Sequence, residues 1–397
     1  MNRTYIKILV VALALAGHEM NANADSLPEG VQVHGFASQS VISTDHNNFF
    51  GNTENKASLD FTELGANISW RLNPSLQLSA QAVARRAGET DNGSPRIDYA
   101  TADYTIHASE NTRFGLYLGK IKNPYGLYNE TRDVAFTRPS ILLPQSIYLD
   151  RIRNFVLSAP GMAVYGESVL PIGNLSYQFG VTRPDTADRE IESVFLSYDR
   201  PGQIKGKTSY IGRVLVEQGN GRLKLALTGV SIRSHYQSGV ADVLGNGYLD
   251  LDSWVLSGQY NGENWVLTSE YAQNRAGTNI FGPTFQQRST TGSSYYVQGT
   301  YRFTTKWSAL ARYDVTYRDK NDKDGQIYRV ATGVPAHSRF AKDLTAGLSY
   351  ELSSNWLLRG EFHHVDGTAW LPYSDNPNPA ATSRHWNMWL FQAAYRF

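Results

Sequence analysis

Apolar and polar residues alternate strictly along much of this 397-residue chain, and that single pattern excludes most folds. Trp307, Ala309, Ala311, Tyr313, Val315 and Tyr317 are separated by Ser308, Leu310, Arg312, Asp314 and Thr316. Leu344, Ala346, Leu348, Tyr350 and Leu352 interleave in the same way with Asp343, Thr345, Gly347, Ser349 and Glu351. The period recurs at 76–84, 175–181, 223–229, 254–260, 295–303 and 356–362. Successive strand side chains point to opposite faces, so a period of two means strands with one oily and one wet face. Past the N-terminus, no segment approaches the roughly 18 consecutive apolar residues of a helical membrane span.

A soluble β-sandwich also alternates, so further features must decide. The apolar faces begin or end in aromatics: Trp70, Trp254, Tyr260, Trp265, Tyr301, Phe303, Trp307 and Trp356. Aromatic girdles of this kind mark where a barrel wall meets lipid headgroups. A content of 12% aromatic residues with a mean hydropathy of −0.39 fits such a wall and is too polar for helical spans. Connections also alternate in length. Short turns stand at Asn73-Pro74-Ser75, Pro171-Ile172-Gly173, Gly219-Asn220-Gly221, Asn261-Gly262, Thr304-Thr305-Lys306 and Ser353-Ser354-Asn355. Long polar segments lie near 45–57, 233–247, 275–292, 318–338 and 366–382. Short turns on one rim and long loops on the other predict an all-β, antiparallel transmembrane β-barrel. The last residues, from Trp389 to a terminal Phe397, resemble the assembly signal of bacterial outer-membrane barrels.

Residues 1–24 read as an export signal: Arg3 and Lys7, an apolar run over 8–16, then Ala22-Asn23-Ala24 before Asp25. Its removal takes Arg3, Lys7 and Glu19 and leaves 25–397 without net formal charge. A near-neutral chain carries no electrostatic footprint for nucleic acid. The absence of cysteine excludes disulfides, Cys-ligated metals and a thiol nucleophile.

The strand count is a test, because a single-chain bacterial barrel needs an even number. Seventeen segments read as strands, and counts from the two ends collide at 191–199, bounded by Pro184 and Pro201-Gly202. Assigning 191–199 to an external loop over about 183–207 predicts sixteen strands in one barrel domain, 25–397.

The connection 123–153 should set the function. Pro124, Pro139 and Pro144 prevent a continuous strand, yet Tyr125, Leu127, Tyr128, Val134, Phe136, Ile141, Leu142, Leu143, Ile147, Tyr148 and Leu149 are too apolar for water. The loop is expected to fold into the barrel as a constriction built from Tyr125, Tyr128, Glu130, Arg132, Asp133, Arg138, Asp150, Arg151 and Arg153. The alternatives are a cap over the outer mouth and a loop contacting a second subunit.

The run Leu118-Gly119-Lys120-Ile121-Lys122-Asn123-Pro124-Tyr125-Gly126-Leu127, the Arg-bearing loop and Gly161-Met162-Ala163-Val164-Tyr165-Gly166-Glu167 resemble the phosphate-selective porin family and its dicarboxylate-transporting relatives. The resemblance is strongest over 113–181. It implies a trimeric, 16-stranded channel with an inward third loop. It does not carry the substrate, since this loop sets four arginines against three carboxylates rather than a run of basic residues.

Parity assigns the wet face. With Trp307, Trp356 and Phe303 toward lipid, Arg302, Arg312, Asp314, Arg359, Glu361 and His363 point inward, as do Arg213, Glu217 and Glu270. Rings of such charges impose ion selectivity collectively, although each alone is more simply a wall ion pair. Enzyme chemistry is not expected: there is no G-x-S-x-G elbow, and the adjacent His363 and His364 point to opposite faces and cannot share a metal. No catalytic, metal or cofactor residues are assigned. The acidic run 319–325 lacks calcium-ligand spacing and reads as a solvated loop tip. The expected function is passive diffusion of small hydrophilic solutes, with anions or carboxylates favoured if the loop arginines dominate. The expected partners are outer-membrane lipid, lipopolysaccharide and two further copies of the chain. A non-conducting barrel acting as scaffold or adhesin through its external loops is the alternative.

Overall fold

The computed structural model describes residues 28–186, 189–196, 200–279 and 288–397, so the export signal lies outside the described residues. Alternation becomes wall. Strands β1 (Val31–Thr44), β2 (Ala57–Asn73), β3 (Leu76–Ala87), β4 (Asp91–Ala108) and β5 (Thr112–Lys122) follow one another antiparallel. After a long inserted segment come β6 (Ser158–Leu170), β7 (Gly173–Thr182), β8 (Gln203–Gly206) and β9 (Ser209–Gln218). The second half is β10 (Leu223–Gln237), β11 (Gly247–Asn261), β12 (Trp265–Asn279) and β13 (Arg288–Arg302). It ends with β14 (Trp307–Tyr317), β15 (Phe340–Glu351), β16 (Trp356–Gly367) and β17 (His385–Arg396).

Strands β8 and β9 lie end to end along β10, so the sheet has sixteen wall positions, as the parity test required. The sheet closes where β1 pairs with β17, from Phe36 opposite Arg396 to Thr44 opposite Met388. Gly35 and Phe397 exchange backbone hydrogen bonds of 3.1 and 3.0 Å at the seam. Closure matters because an unpaired N–H or C=O in hydrocarbon costs several kcal/mol. At Gly35 a Cβ would lie 2.3 Å from the Phe397 ring, so a larger residue there has to displace that exposed side chain.

The oily face points out. Leu225, Leu227, Leu256, Leu267, Leu344, Leu348 and Phe362 are all exposed, as a lipid-facing surface must be. Aromatic pairs cluster beside the short turns: Tyr260 stacks on Trp265 at 5.3 Å, Trp307 meets Tyr350 at 4.5 Å and Trp356 meets Tyr395 at 4.9 Å. Two strand pairs reach further outward than the polar composition of 233–247 and 275–292 suggested, to Gln237 and to Asn279. At these ends the inner face is still covered, with Ser234, Tyr236, Leu249 and Thr278 all buried.

Residues 191–196 of the ambiguous segment are not a strand. Arg189–Leu196 forms a helix, α2 in a chain whose first helix, α1, is Arg153–Leu157, and residues 197–199 lie outside the described residues. Its Ile191 and Leu196 turn inward, into an apolar cluster with Tyr148, Phe155 and Tyr236. Among the described residues no helix is long and apolar enough to cross a membrane, which bears on helices alone.

Candidate pore constriction

Residues 123–157 enter the barrel and stay there. The neck is closed by one backbone and one side-chain hydrogen bond: Asn123 N–H donates to Leu157 O at 3.0 Å, and the Asn129 side-chain Nδ2 donates to Asn123 O at 2.9 Å. Gly126 then turns the chain with φ +60°, and its N–H reaches Thr228 Oγ1 on β10 at 3.3 Å.

The apolar residues that made the loop improbable in water divide between opposite walls. Tyr125, Leu143, Ile147 and Tyr148 pack against β10–β13 through Val255, Ala272 and Tyr296. Ile141 and Leu142 pack on the other side with Ile42, Phe61, Trp386, Met388 and Leu390. Each such aliphatic side chain contributes about 1.5–3 kcal/mol by leaving water. The inward fold is thus driven by burial on two sides at once.

Wall charges then fix the loop. On β12, Glu270 accepts from Tyr148 Oη at 2.6 Å, Ser257 Oγ at 2.6 Å, Tyr296 Oη at 2.8 Å and Leu127 N at 3.1 Å. On β16, Glu361 accepts from Ile141 N at 2.5 Å, and on β14 Asp314 accepts from Ser146 N at 3.3 Å. Arginines do the converse with loop carbonyls. Arg312 donates to Leu142 O at 3.0 Å, Arg359 to Arg138 O at 2.7 Å, and Arg213 to Gly126 O at 2.9 Å. Parity put these residues on the wet face, and there they are found, holding backbone. Arg213 also pairs with Glu130 at 2.6 Å. Glu217, paired with Lys224 at 2.7 Å, and the exposed Arg302 stand nearer the short-turn rim and do not touch the loop.

Most of the loop's own charges meet a second set from the wall. Arg138 Nη2 lies 2.5 Å from Glu63 on β2, and Arg153 Nη1 lies 3.2 Å from the same carboxylate. Arg132 and Arg85, the latter on β3, reach Asp150 at 3.1 and 3.2 Å. Asp133 binds both Arg153 and Lys122, and Lys122 in turn reaches Asp98 on β4 at 2.5 Å. Arg85, Arg132, Arg138 and Arg153 are buried, as are Glu63, Asp98, Asp133 and Asp150. Burying ions is expensive, and the cluster persists because each is met by opposite charge and hydrogen bonds. Burial pushes the Asp150 carboxyl up, but Arg132, Arg85 and Arg153 outweigh it and hold the group at about 2. Burial brings Arg132 down to about 10. Arg151 turns the other way, to Glu190 of α2 at 2.9 Å, and Glu190 also accepts from Ser374 N at 2.6 Å, tying loop to rim.

Glu63, Arg85, Asp98 and Lys122 were not singled out in the sequence. Glu63 and Arg85 sit at inward parity and could have been found by extending the alternation argument to β2 and β3. His363, also inward, is buried with Nδ1 2.8 Å from Asp343 and Nε2 3.5 Å from Glu361. Thr345 Oγ1 shares that same Nδ1 at 3.1 Å, so the three do not form a nucleophile–base–acid relay, which needs one partner on each nitrogen. His364 points outward to Asn387 Oδ1 at 2.8 Å. Among the described residues no His, Cys, Asp and Glu group could hold a metal ion.

Above the loop lies a chamber of about 850 Å³. Among the described residues its lining includes Arg132, Arg151, Arg200, Arg288, Arg318 and Arg339 and two acids, Asp319 and Asp322. Tyr125, Ile147 and Tyr148 form part of its floor, and Tyr328 and Trp370 part of its rim.

No protein-family model matches the chain, and no curated protein matches it. Solved structures do. The outer membrane channel DcaP of Acinetobacter baumannii is 14% identical, with a TM-score of 0.60 over 92% of this chain and 97% of that one. An anion-selective porin from Comamonas acidovorans is 13% identical, with a TM-score of 0.56 over 92% and 99%. OmpT, an outer membrane protein of Vibrio cholerae described in a trimer form, is 12% identical, with a TM-score of 0.56 over 92% and 99%. The fold is therefore that of the outer-membrane porins, a closed antiparallel barrel of sixteen strands; the phosphate-selective family is not singled out among them.

Proposed function

We propose that a chain with this porin fold is an outer-membrane diffusion channel for small hydrophilic solutes, exported to the cell surface of a Gram-negative bacterium through a cleaved signal at 1–24. The observation that carries the reading is the loop 123–157, folded into the barrel and hydrogen-bonded to its inner wall through Glu270, Glu361 and Arg359. A loop so placed sets the width of any passage that remains. Transport by this route needs no covalent chemistry, so no residue is assigned a catalytic role and no cofactor is invoked.

The constriction consists of Tyr125, Tyr128, Glu130, Arg132, Asp133, Arg138, Asp150, Arg151 and Arg153, but in two roles. Arg132, Asp133, Arg138, Asp150 and Arg153 brace the loop against the wall, while Glu130 with Arg213 faces the more open side. The excess of arginine in the outer chamber favours anions, carboxylates included, over cations. Three copies form the working unit, a reading that rests on the family resemblance and on the trimer form described for the Vibrio protein.

Purified protein in planar bilayers is expected to give discrete open steps, enlarged when residues 130–148 are deleted. An unchanged step size in the deletion variant rules out the constriction. One observation favours the second reading, a non-conducting barrel serving as a surface scaffold or adhesin: the loop bonds to strands on opposite walls rather than to one side. Absence of any conductance from folded protein selects that reading.

A further inference from the structure

The wet side of a barrel wall is polar by rule, yet toward the outer ends of β10–β12 the inward face is oily. Ile232, Leu251 and Ala276 stand opposite one another in a single inward row. Val230 and Leu249 are buried beside them. Leu251 itself is half-buried, as are Ile152, Val156 and Phe195, and all four border the outer chamber. A small hydrophilic solute gains nothing from such a lining, because apolar surface is stabilised by other apolar surface leaving water.

Two cations of the same chamber lack a carboxylate. Arg318 Nη2 donates to Ala369 O at 2.8 Å, and its backbone N–H donates to Arg339 O at 2.9 Å. The Arg339 guanidinium carbon lies 4.2 Å from the centre of the Tyr328 ring. Among the described residues neither guanidinium makes an ion pair, and the buried Arg339 Nε has no hydrogen-bond partner. The aspartates of the lining are engaged elsewhere. Asp322 accepts from Ile327 N and Tyr328 N at 3.1 and 2.8 Å, and Asp319 accepts from Asn321 N at 2.9 Å. They act on Arg339 only from a distance, while Arg151 and Arg339 repel Arg318. An anion between the two guanidinium groups relieves that repulsion.

We propose that the outer chamber binds a ring-bearing monocarboxylate, its carboxylate on Arg318 and Arg339 and its ring on the Leu251 row, an assignment that rests on the channel reading above and names its solute class. Reach supports it. Only β13 stands between β12 and β14, and the β13 residue opposite Asn274 is Gly292, with no side chain to divide the chamber. Two strand spacings of about 4.8 Å put the β12 and β14 backbones about 10 Å apart. One ring and its carboxylate cover that span once an arginine side chain extends to meet them. A volume of about 850 Å³ admits such a ligand together with water. Arginine offers a carboxylate two parallel N–H donors. A second carboxylate on the same ligand would lose water against the Leu251 row, so a dicarboxylate fits worse. Acetate and inorganic phosphate reach the arginines but leave the row bare.

The test titrates purified wild type in detergent with benzoate, acetate, succinate and inorganic phosphate by calorimetry, against protein-free micelles. Benzoate is expected to bind about tenfold more tightly than acetate, the factor for about 60 Å² of ring leaving water. It is also expected to exceed succinate and phosphate despite their greater charge. R318Q/R339Q should weaken benzoate binding at least about tenfold, the worth of a charge-assisted hydrogen bond. L251N should leave acetate binding unchanged and cut benzoate's advantage over it to about threefold. The four-ligand comparison on wild type does not depend on the folding of either variant. Equal binding of benzoate and acetate, tighter binding of succinate or phosphate, or unchanged benzoate affinity in either variant overturns the proposal. Conductance measured on the same samples separates the two readings. Conducting protein that does not favour benzoate refutes the chamber site, whereas benzoate binding without conductance counts against the channel.

Discussion

The Gly126 backbone lies so close to Tyr148 that a Cβ at position 126 would stand 2.4 Å from the phenol oxygen and 2.8 Å from Glu270 Oε1. The turn that admits the loop and the hydrogen bond that anchors it therefore occupy one space. Gly126→Ala must displace the phenol or the turn, and it also forces a side chain into a left-handed φ. The expected cost is about 1–3 kcal/mol. It should appear as a lowered unfolding temperature and as noisier single-channel current, and a variant with unaltered current shows that the anchor is not strained.

Glu270 gathers the hydroxyls of Tyr148, Tyr296 and Ser257 on one carboxylate. Glu270→Ala leaves three buried donors without an acceptor, at about 1–3 kcal/mol each. Loop release from β12 should enlarge the conductance step, while Glu270→Gln, which keeps an acceptor oxygen, should lie between variant and wild type.

Acid should open the other anchor. The Asp150 carboxyl is depressed from an ordinary value of 3.8 to about 2, so it contributes stability that is complete above the ordinary value and lost as the pH falls through about 2. Asp133 is likewise held low by Arg153 and Lys122 against the push of burial. Conductance recorded from pH 6 downward is expected to stay level to about pH 4 and to rise or become noisy below about pH 3. A transition centred near pH 6 assigns the gate to other groups.

These anchors mark the limit of what the residues alone disclose. The wall was legible because lipid and water impose a binary pattern: Trp307 to Tyr317 can face only one way. The loop's entry was legible because Ile141, Leu142 and Leu143 have no place in water. Parity also puts Arg312, Arg359 and Glu361 inside, but it cannot say whether water or backbone stands opposite them. That depends on where a distant segment comes to rest, as Arg138 does on Glu63, 75 residues away in sequence. Arg189–Leu196 is too short for a helical period to stand out, and only its packing against Phe155 and Tyr236 gives it a shape.

The outer chamber supplies a charge test. Burial lowers the Arg318 guanidinium to about 9, with Arg151 and Arg339 adding repulsion, so it stays charged at neutral pH. Arg132 and Arg151 are already paired with Asp150 and Glu190, so replacing Arg318 and Arg339 together with Gln removes the excess of the remaining four lining arginines over Asp319 and Asp322. The reversal potential in a salt gradient should then move toward cations by several millivolts, on the order expected when a charged ring is thinned. An unmoved potential places the selectivity step elsewhere, at Arg213 and Glu130.

The seam between Gly35 and Phe397 bears on biogenesis. Because the first strand bonds to the last, a chain lacking the 12 residues of β17 presents two raw edges, on β1 and on β16, with nothing to satisfy them in hydrocarbon. A wall one strand short is then not a weaker version of the product but a species the bilayer rejects. Insertion then becomes an all-or-none event, completed only when β1 and β17 meet.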